Sequence, residues 1–181
     1  MNYASQILKD EHEAILTGLN FLDSIQKSLD GPAPSPKKDL EDMVTFFTLF
    51  ADSCHHGKEE GILFPAMEQA GIPNQGGPIG QMLHEHELGR SYMKGMKEAL
   101  AGDGVDIPAF RRYALEYISF LRTHIEKENT VLFPMGDQFI PEEDQAGLIA
   151  AFEHHEETVM GKGIHEELHA MLDDFALRYP K

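Results

Sequence analysis

The feature that most restricts how this chain can fold is an internal near-copy. Residues 55–65 read HHGKEEGILFP and residues 124–134 read HIEKENTVLFP. Aligned without a gap, His55 matches His124, Lys58 matches Lys127, Glu59 matches Glu128, and Leu63-Phe64-Pro65 matches Leu132-Phe133-Pro134. Upstream of each copy stands a histidine between two acids, Glu11-His12-Glu13 and Glu85-His86-Glu87. The chain therefore has two like halves, each with one segment bearing a single histidine and one bearing His-x3-Glu. Residues four apart share a face of a helix, so His55 can converge with Glu59, and His124 with Glu128.

The rest of the pattern agrees with helices. No stretch alternates β-branched residues long enough to argue for strands, whereas Ile7, Leu8, Ile15, Leu19, Leu22 and Ile25 recur at helical spacing. The breaks predict a first helix over about 3–29, stopped by Asp30-Gly31-Pro32. A second runs from a Ser35 N-cap with Pro36 at its first position to about Ala70, a third from near Pro78 to Ala101-Gly102, and a fourth from near Pro108 to Phe139. Four such helices with short connections describe an all-α, up-down-up-down bundle. Two shorter helices, about 142–159 and 165–179, are expected as an extension, so that residues 1–181 form one domain with its bundle core at about 3–139. Pro65 and Pro134 fall late in helices two and four and are expected to kink or loosen them.

Composition narrows the class further. With 31 acidic and 15 basic residues the formal charge is −16, which opposes the phosphate backbone of nucleic acid. No apolar run reaches the ~20 residues of a membrane span. The first residues lack the charged-then-apolar plan of a secretory signal. A cytoplasmic protein without nucleic-acid or membrane partners is the expectation.

Ten histidines make position decisive. A single histidine from one helix and His-x3-Glu from the next supply two imidazoles and a carboxylate per half. That donor set, with positions left over, suits non-haem iron; manganese and zinc fit less well. Glutamate can bridge two metals through its two oxygens, while imidazole binds one terminally. The predicted ligands are thus His12, His55, Glu59, His86, His124 and Glu128, meeting at a dinuclear site in the bundle core.

These residues, in this order and with both Leu-Phe-Pro segments, resemble the bacterial hemerythrin-like (HHE cation-binding) proteins over about residues 7–135. The Gly161–Glu166 stretch also resembles tails of that family. The resemblance implies a four-helix bundle with a di-iron centre that binds oxygen, nitric oxide or peroxide. Oxygen-carrying members have HxxxH in the third helix, where this chain has His86 followed by Arg90. They have HxxxxD in the fourth, where it has His124, Glu128 and then Asn129. Four motif histidines stand where a carrier uses five, so one position is left to water, substrate or a histidine from elsewhere. By analogy with the family, this turns the expectation from reversible carriage towards redox chemistry or sensing.

Other residues are assigned plainer roles. His56 and Glu60 lack counterparts in the second copy (Ile125 and Asn129) and are expected to face solvent, as are His84, His154, His155 and the tail pair His165/His169. His165 is also the leading candidate for a further ligand. Lys58 and Lys127 are turned about 100° from their neighbouring glutamates and are expected to be exposed. Phe46, Phe47, Phe50 and the two Leu-Phe pairs are core residues, with those nearest the site walling a dry pocket, and Cys54 is a small buried hydrophobe. The expected function is binding or reduction of a small oxidant, with an unidentified electron donor or signalling partner. The alternatives are a non-enzymatic oxygen or redox sensor, an iron storage or donation module, or a zinc-filled structural bundle.

Overall fold

The computed structural model describes residues 3–32 and 34–179. It contains six helical runs: α1 (Ala4–Ser28), α2 (37–69), α3 (Pro78–Leu100), α4 (107–139), α5 (Gln145–Val159) and α6 (Ile164–Arg178), with no strand among the described residues. Among those residues, no helix is long and apolar enough to cross a membrane.

Each bundle helix buries one stripe at helical spacing, and the predicted ligands stand in those stripes. On α1 the buried row is Leu8, His12, Ile15, Leu19 and Leu22; on α3 it is Met82, His86, Gly89, Met93 and Met96. The core is consequently divided in two. One apolar cluster holds Ile15, Phe47, Ala51, Met93, Tyr117 and Leu121, and the other holds Leu8, Leu63, Phe64, Met82, Leu132 and Phe133. Along α1 and α3 the chain passes from the second cluster to the first, and along α2 and α4 it returns, which is the expected up-down-up-down order. Burial of each large apolar side chain contributes roughly 1.5–3 kcal/mol, so the two clusters clamp the polar layer between them.

The prolines act through a widened turn. Immediately before Pro65 and Pro134 the helices adopt π geometry, over Glu59–Leu63 and Glu128–Leu132. The Phe64 N–H donates to the Glu59 carbonyl and the Phe133 N–H to the Glu128 carbonyl, five residues back. The wide turn absorbs the missing donor and the ring clash that proline brings to a regular helix. A second π segment, Phe47–His56, lies in α2, and no counterpart is found in α4.

The N-terminus of α2 differs from expectation. Pro36 is the cap residue and no side chain caps the helix. Ser35 instead lies 2.6 Å from the Ser28 hydroxyl and 2.8 Å from the Tyr179 hydroxyl. A tertiary tie has taken the side chain that local capping would use. The same tyrosine and Arg178 both donate to Asp39, each at 2.5 Å, fastening α6 to the bundle. The turn into α6 needs positive φ at Gly161 (82°) and Gly163 (89°), conformations that a side chain would strain.

Candidate metal centre

The polar layer contains all six predicted residues. His12, His55, Glu59, His86, His124 and Glu128 are each no more than 1% exposed. His12, His55, Glu59 and Glu128 offer ligand atoms within 4.8 Å of one another, and a second group of three imidazoles, His56, His86 and His124, does the same.

The two glutamates join these groups. Glu59 sets Oε1 3.4 Å from His55 Nε2 and Oε2 3.4 Å from His86 Nε2. Glu128 sets Oε2 3.3 Å from His12 Nε2 and Oε1 3.2 Å from His124 Nε2. Each carboxylate therefore gives one oxygen to each half. None of their four oxygens has a hydrogen-bond partner, and neither has His12 Nε2 or His55 Nε2, although all are buried. Buried carboxylates left so cost several kcal/mol each unless a positive charge meets them. Hard oxygens and imidazole nitrogens converging on one layer are a donor set that fits a metal cation.

In the metal-free chain, protons on the imidazoles would have to supply that charge. Burial works against a charged His55, His86 or His124, but the carboxylates beside each outweigh it (Glu59 and Glu11; Glu128, Glu59 and Glu60; Glu128 and Glu85), carrying them up to about 10, 11 and 9 respectively. His56 goes the other way, down to about 3, because burial and the neighbouring His86 both disfavour its proton.

Every inward-facing imidazole is held from behind. His55 Nδ1–H donates to Glu11 at 2.8 Å and His124 Nδ1–H to Glu85 at 2.9 Å. His12 Nδ1–H donates to the Asn129 carboxamide oxygen at 2.8 Å and His86 Nδ1–H to Glu60 at 2.7 Å. With Nδ1 occupied in this way, Nε2 is the atom turned to the centre. Phe133 stacks on His12 and Phe64 on His86, at 5.5 and 5.8 Å between ring centres, so the paired Leu-Phe segments supply dry walls as well as core.

Several expectations are corrected here. Lys58 is buried, 1% exposed, and donates to Glu11 at 2.5 Å and to Glu156 of α5 at 2.9 Å. The 100° offset does turn Lys58 off the centre, but towards α1 and α5, not towards water. Lys127 is half-exposed and pairs with Glu85. His56 is buried, 4% exposed, stacked on His86 at 3.9 Å, and Glu60 is half-buried against His86 and Arg90. His155 is half-buried and donates to the Ser53 carbonyl at 3.1 Å, while His84, His154 and His169 are exposed as expected. His165 stands outside both groups, beside Glu156 and 2.9 Å from His169. Cys54 is buried in the core, and burial foremost pushes its thiol up to about 12. Glu11 and Glu85 were missed as supports, although the repeated Glu-His-Glu was their signal.

A family model for the hemerythrin HHE cation-binding domain matches residues 4–136. The chain belongs to the hemerythrin HHE cation-binding family. Neither the curated proteins nor the solved structures searched gave a match. The family indicates cation binding, and the buried His/Glu cluster in the layer between the two cores is compatible with it.

Proposed function

We propose that the centre holds two iron ions and binds or reduces a small oxidant: oxygen, peroxide or nitric oxide. His12 and His55 serve one ion and His86 and His124 the other, with Glu59 and Glu128 shared. The observation that carries this reading is the division of each carboxylate, one oxygen facing each pair of imidazoles at 3.2–3.4 Å. Iron supplies the electrons and the open coordination positions for such a ligand. The chain's own residues orient the donors through Glu11, Glu85, Asn129 and Glu60, and they exclude water with Phe64, Phe133 and the two apolar clusters.

The test is metal stoichiometry with the absorption spectrum of iron-reconstituted protein, followed by addition of peroxide or nitric oxide. Two irons per chain, a charge-transfer band and catalytic loss of the oxidant are the expected result. Stoichiometric bleaching without consumption would assign a binding or sensing role. A single zinc and no iron would overturn the reading.

A further inference from the structure

We infer that His165 and His169 of α6 form a separate surface site for one divalent transition-metal ion, with Glu156 of α5 positioning His165. The site needs neither the buried centre nor its metals, and it lies in the extension, outside both copies of the repeat.

The two imidazoles converge as ligands of one ion do. Residues four apart share a helix face, and His165 Nε2 stands 2.9 Å from His169 Nε2. Two nitrogens bound at ~2.0–2.1 Å are about 2.9 Å apart when they subtend a right angle and about 3.3 Å apart in a tetrahedron. The observed spacing fits the square or octahedral corner of copper(II) and nickel(II) better than the tetrahedral one of zinc. Glu156 Oε1 lies 3.0 Å from His165 Nδ1. It favours a proton on that nitrogen and leaves the Nε2 lone pair for the ion. Burial and the neighbouring His165 hold the His169 imidazole below its ordinary range, so this ring too is neutral near pH 7. In the metal-free chain one imidazole proton bridges the two Nε2 atoms. The ion takes that position once the proton moves to His169 Nδ1.

The surroundings supply what two neutral donors lack. Both rings rest on the buried Phe50, at 5.4 and 5.6 Å between ring centres, which restrains their rotamers. Both open on a cleft of about 280 Å³ that Asp10 and Glu11 of α1 and Glu156 also line. That space admits the water molecules that complete the coordination. Lys58 offsets Glu11 and Glu156, but Asp10, Glu166 and Asp173 remain near the pair and attract a cation. Glu166 and Glu167, in the first turn of α6, also offset the positive end of its dipole. His169 is exposed and His165 half-buried, so this ion exchanges with solvent, unlike anything held in the buried layer.

The experiment is a titration of copper(II) into the full chain after iron loading, read by electron paramagnetic resonance with iron measured alongside. One copper per chain, with hyperfine structure from two imidazole nitrogens and no loss of iron, is expected. His165→Gln or His169→Gln is expected to leave one nitrogen and to weaken that copper by about 100-fold, the advantage of a second donor fixed beside the first. Glu156→Gln keeps both nitrogens and weakens it by about 10-fold. His84→Gln, at an exposed histidine of α3, changes nothing, and circular dichroism checks the fold of each variant. Should a histidine variant not fold, NMR of the wild type locates the ion, because copper then broadens the imidazole signals of His165 and His169 first. No copper, copper bound alike by the wild type and both histidine variants, or copper that enters only by displacing iron overturns the site and leaves the dinuclear reading standing. If the chain takes up no iron, that reading fails, and the same titration of the metal-free chain still decides this one.

Discussion

In the half built from α1 and α2, Lys58 is 1% exposed and ties Glu11 to Glu156 of the C-terminal pair. In the half built from α3 and α4, its counterpart Lys127 keeps 42% of its side chain exposed and meets Glu85 at the bundle surface. The two lysines occupy equivalent helix positions and touch equivalent glutamates behind equivalent histidines. What differs is the neighbour: α5 covers one and leaves the other to water. The second difference lies on the opposite side, where His56, Asp52 and Arg90 form a polar network at positions that Ile125, Leu121 and Leu16 occupy in the other half. A repeated sequence therefore reproduces the donors and their immediate supports, while the surroundings that set their energetics are supplied separately.

The broadest break in the comparison removes what the halves share. Glu59→Ala or Glu128→Ala takes an oxygen from each half at once, and either is expected to abolish binding of the metal pair. At free metal about 100-fold above the dissociation constant, the lost linkage is ~2.7 kcal/mol for each ion and ~5.4 kcal/mol for the pair. That corresponds to a melting point lower by roughly 10–20 °C for a chain of this size. Metal analysis with calorimetry checks it, and an unchanged melting point in loaded Glu59→Ala would contradict a shared carboxylate.

Next come the lysines. Lys58→Ala breaks a buried ionic contact and is expected to cost about 3 kcal/mol. Lys127→Ala disrupts a partly solvated pair and is expected to cost under about 1 kcal/mol. Urea unfolding of the two variants separates them, and equal losses would mean that α5 does not provide the difference.

A smaller effect is expected from making the halves more alike. Asn129→Asp replaces the carboxamide behind His12 with a carboxylate of the same length. His12 becomes a more basic donor, so affinity for the ion on that side is expected to rise by up to about 10-fold. Competition with a chelator of known affinity measures it.

The smallest effect concerns the extension, which has no repeat partner. Burial opposes the charge on Asp39, but the Arg178 guanidinium and the Tyr179 hydroxyl hold its carboxyl below the ordinary range. Its contribution is therefore complete above the ordinary carboxylate pKa and is lost as pH falls towards the lowered value. Hydrogen exchange in residues 164–178 is expected to quicken below about pH 4, ahead of the bundle. In Arg178→Gln the quickening should begin at higher pH.

The helix order, the gathering of the six His and Glu side chains in one buried layer and the split into halves were legible because they follow spacing within single helices. Leu8, His12 and Ile15 share one stripe, and that stripe can be read without knowing its partner. The alignment also pointed away from His56, because it compared the copies and His56 is where they differ. Lys58 was misread for a related reason: the helical offset says which way a side chain leaves the axis, but α5 decides whether water is there. Ser35 shows the same limit at a helix end, where Tyr179, far along the chain, uses the group that a local cap would take. Each error lies where a contact between distant segments overrode a local rule.

At the wide turns Glu59–Leu63 and Glu128–Leu132, α2 and α4 each carry one residue more than a regular turn of the same phase would need. Deleting Gly61 or Thr130 would regularise the hydrogen-bond ladder and yet rotate everything after it by about a quarter-turn. Phe64 and Phe133 would swing off the imidazoles they cover. A more regular helix would in this way give a poorer protein, with the surplus residue serving as the spacer that lets one helix address two layers.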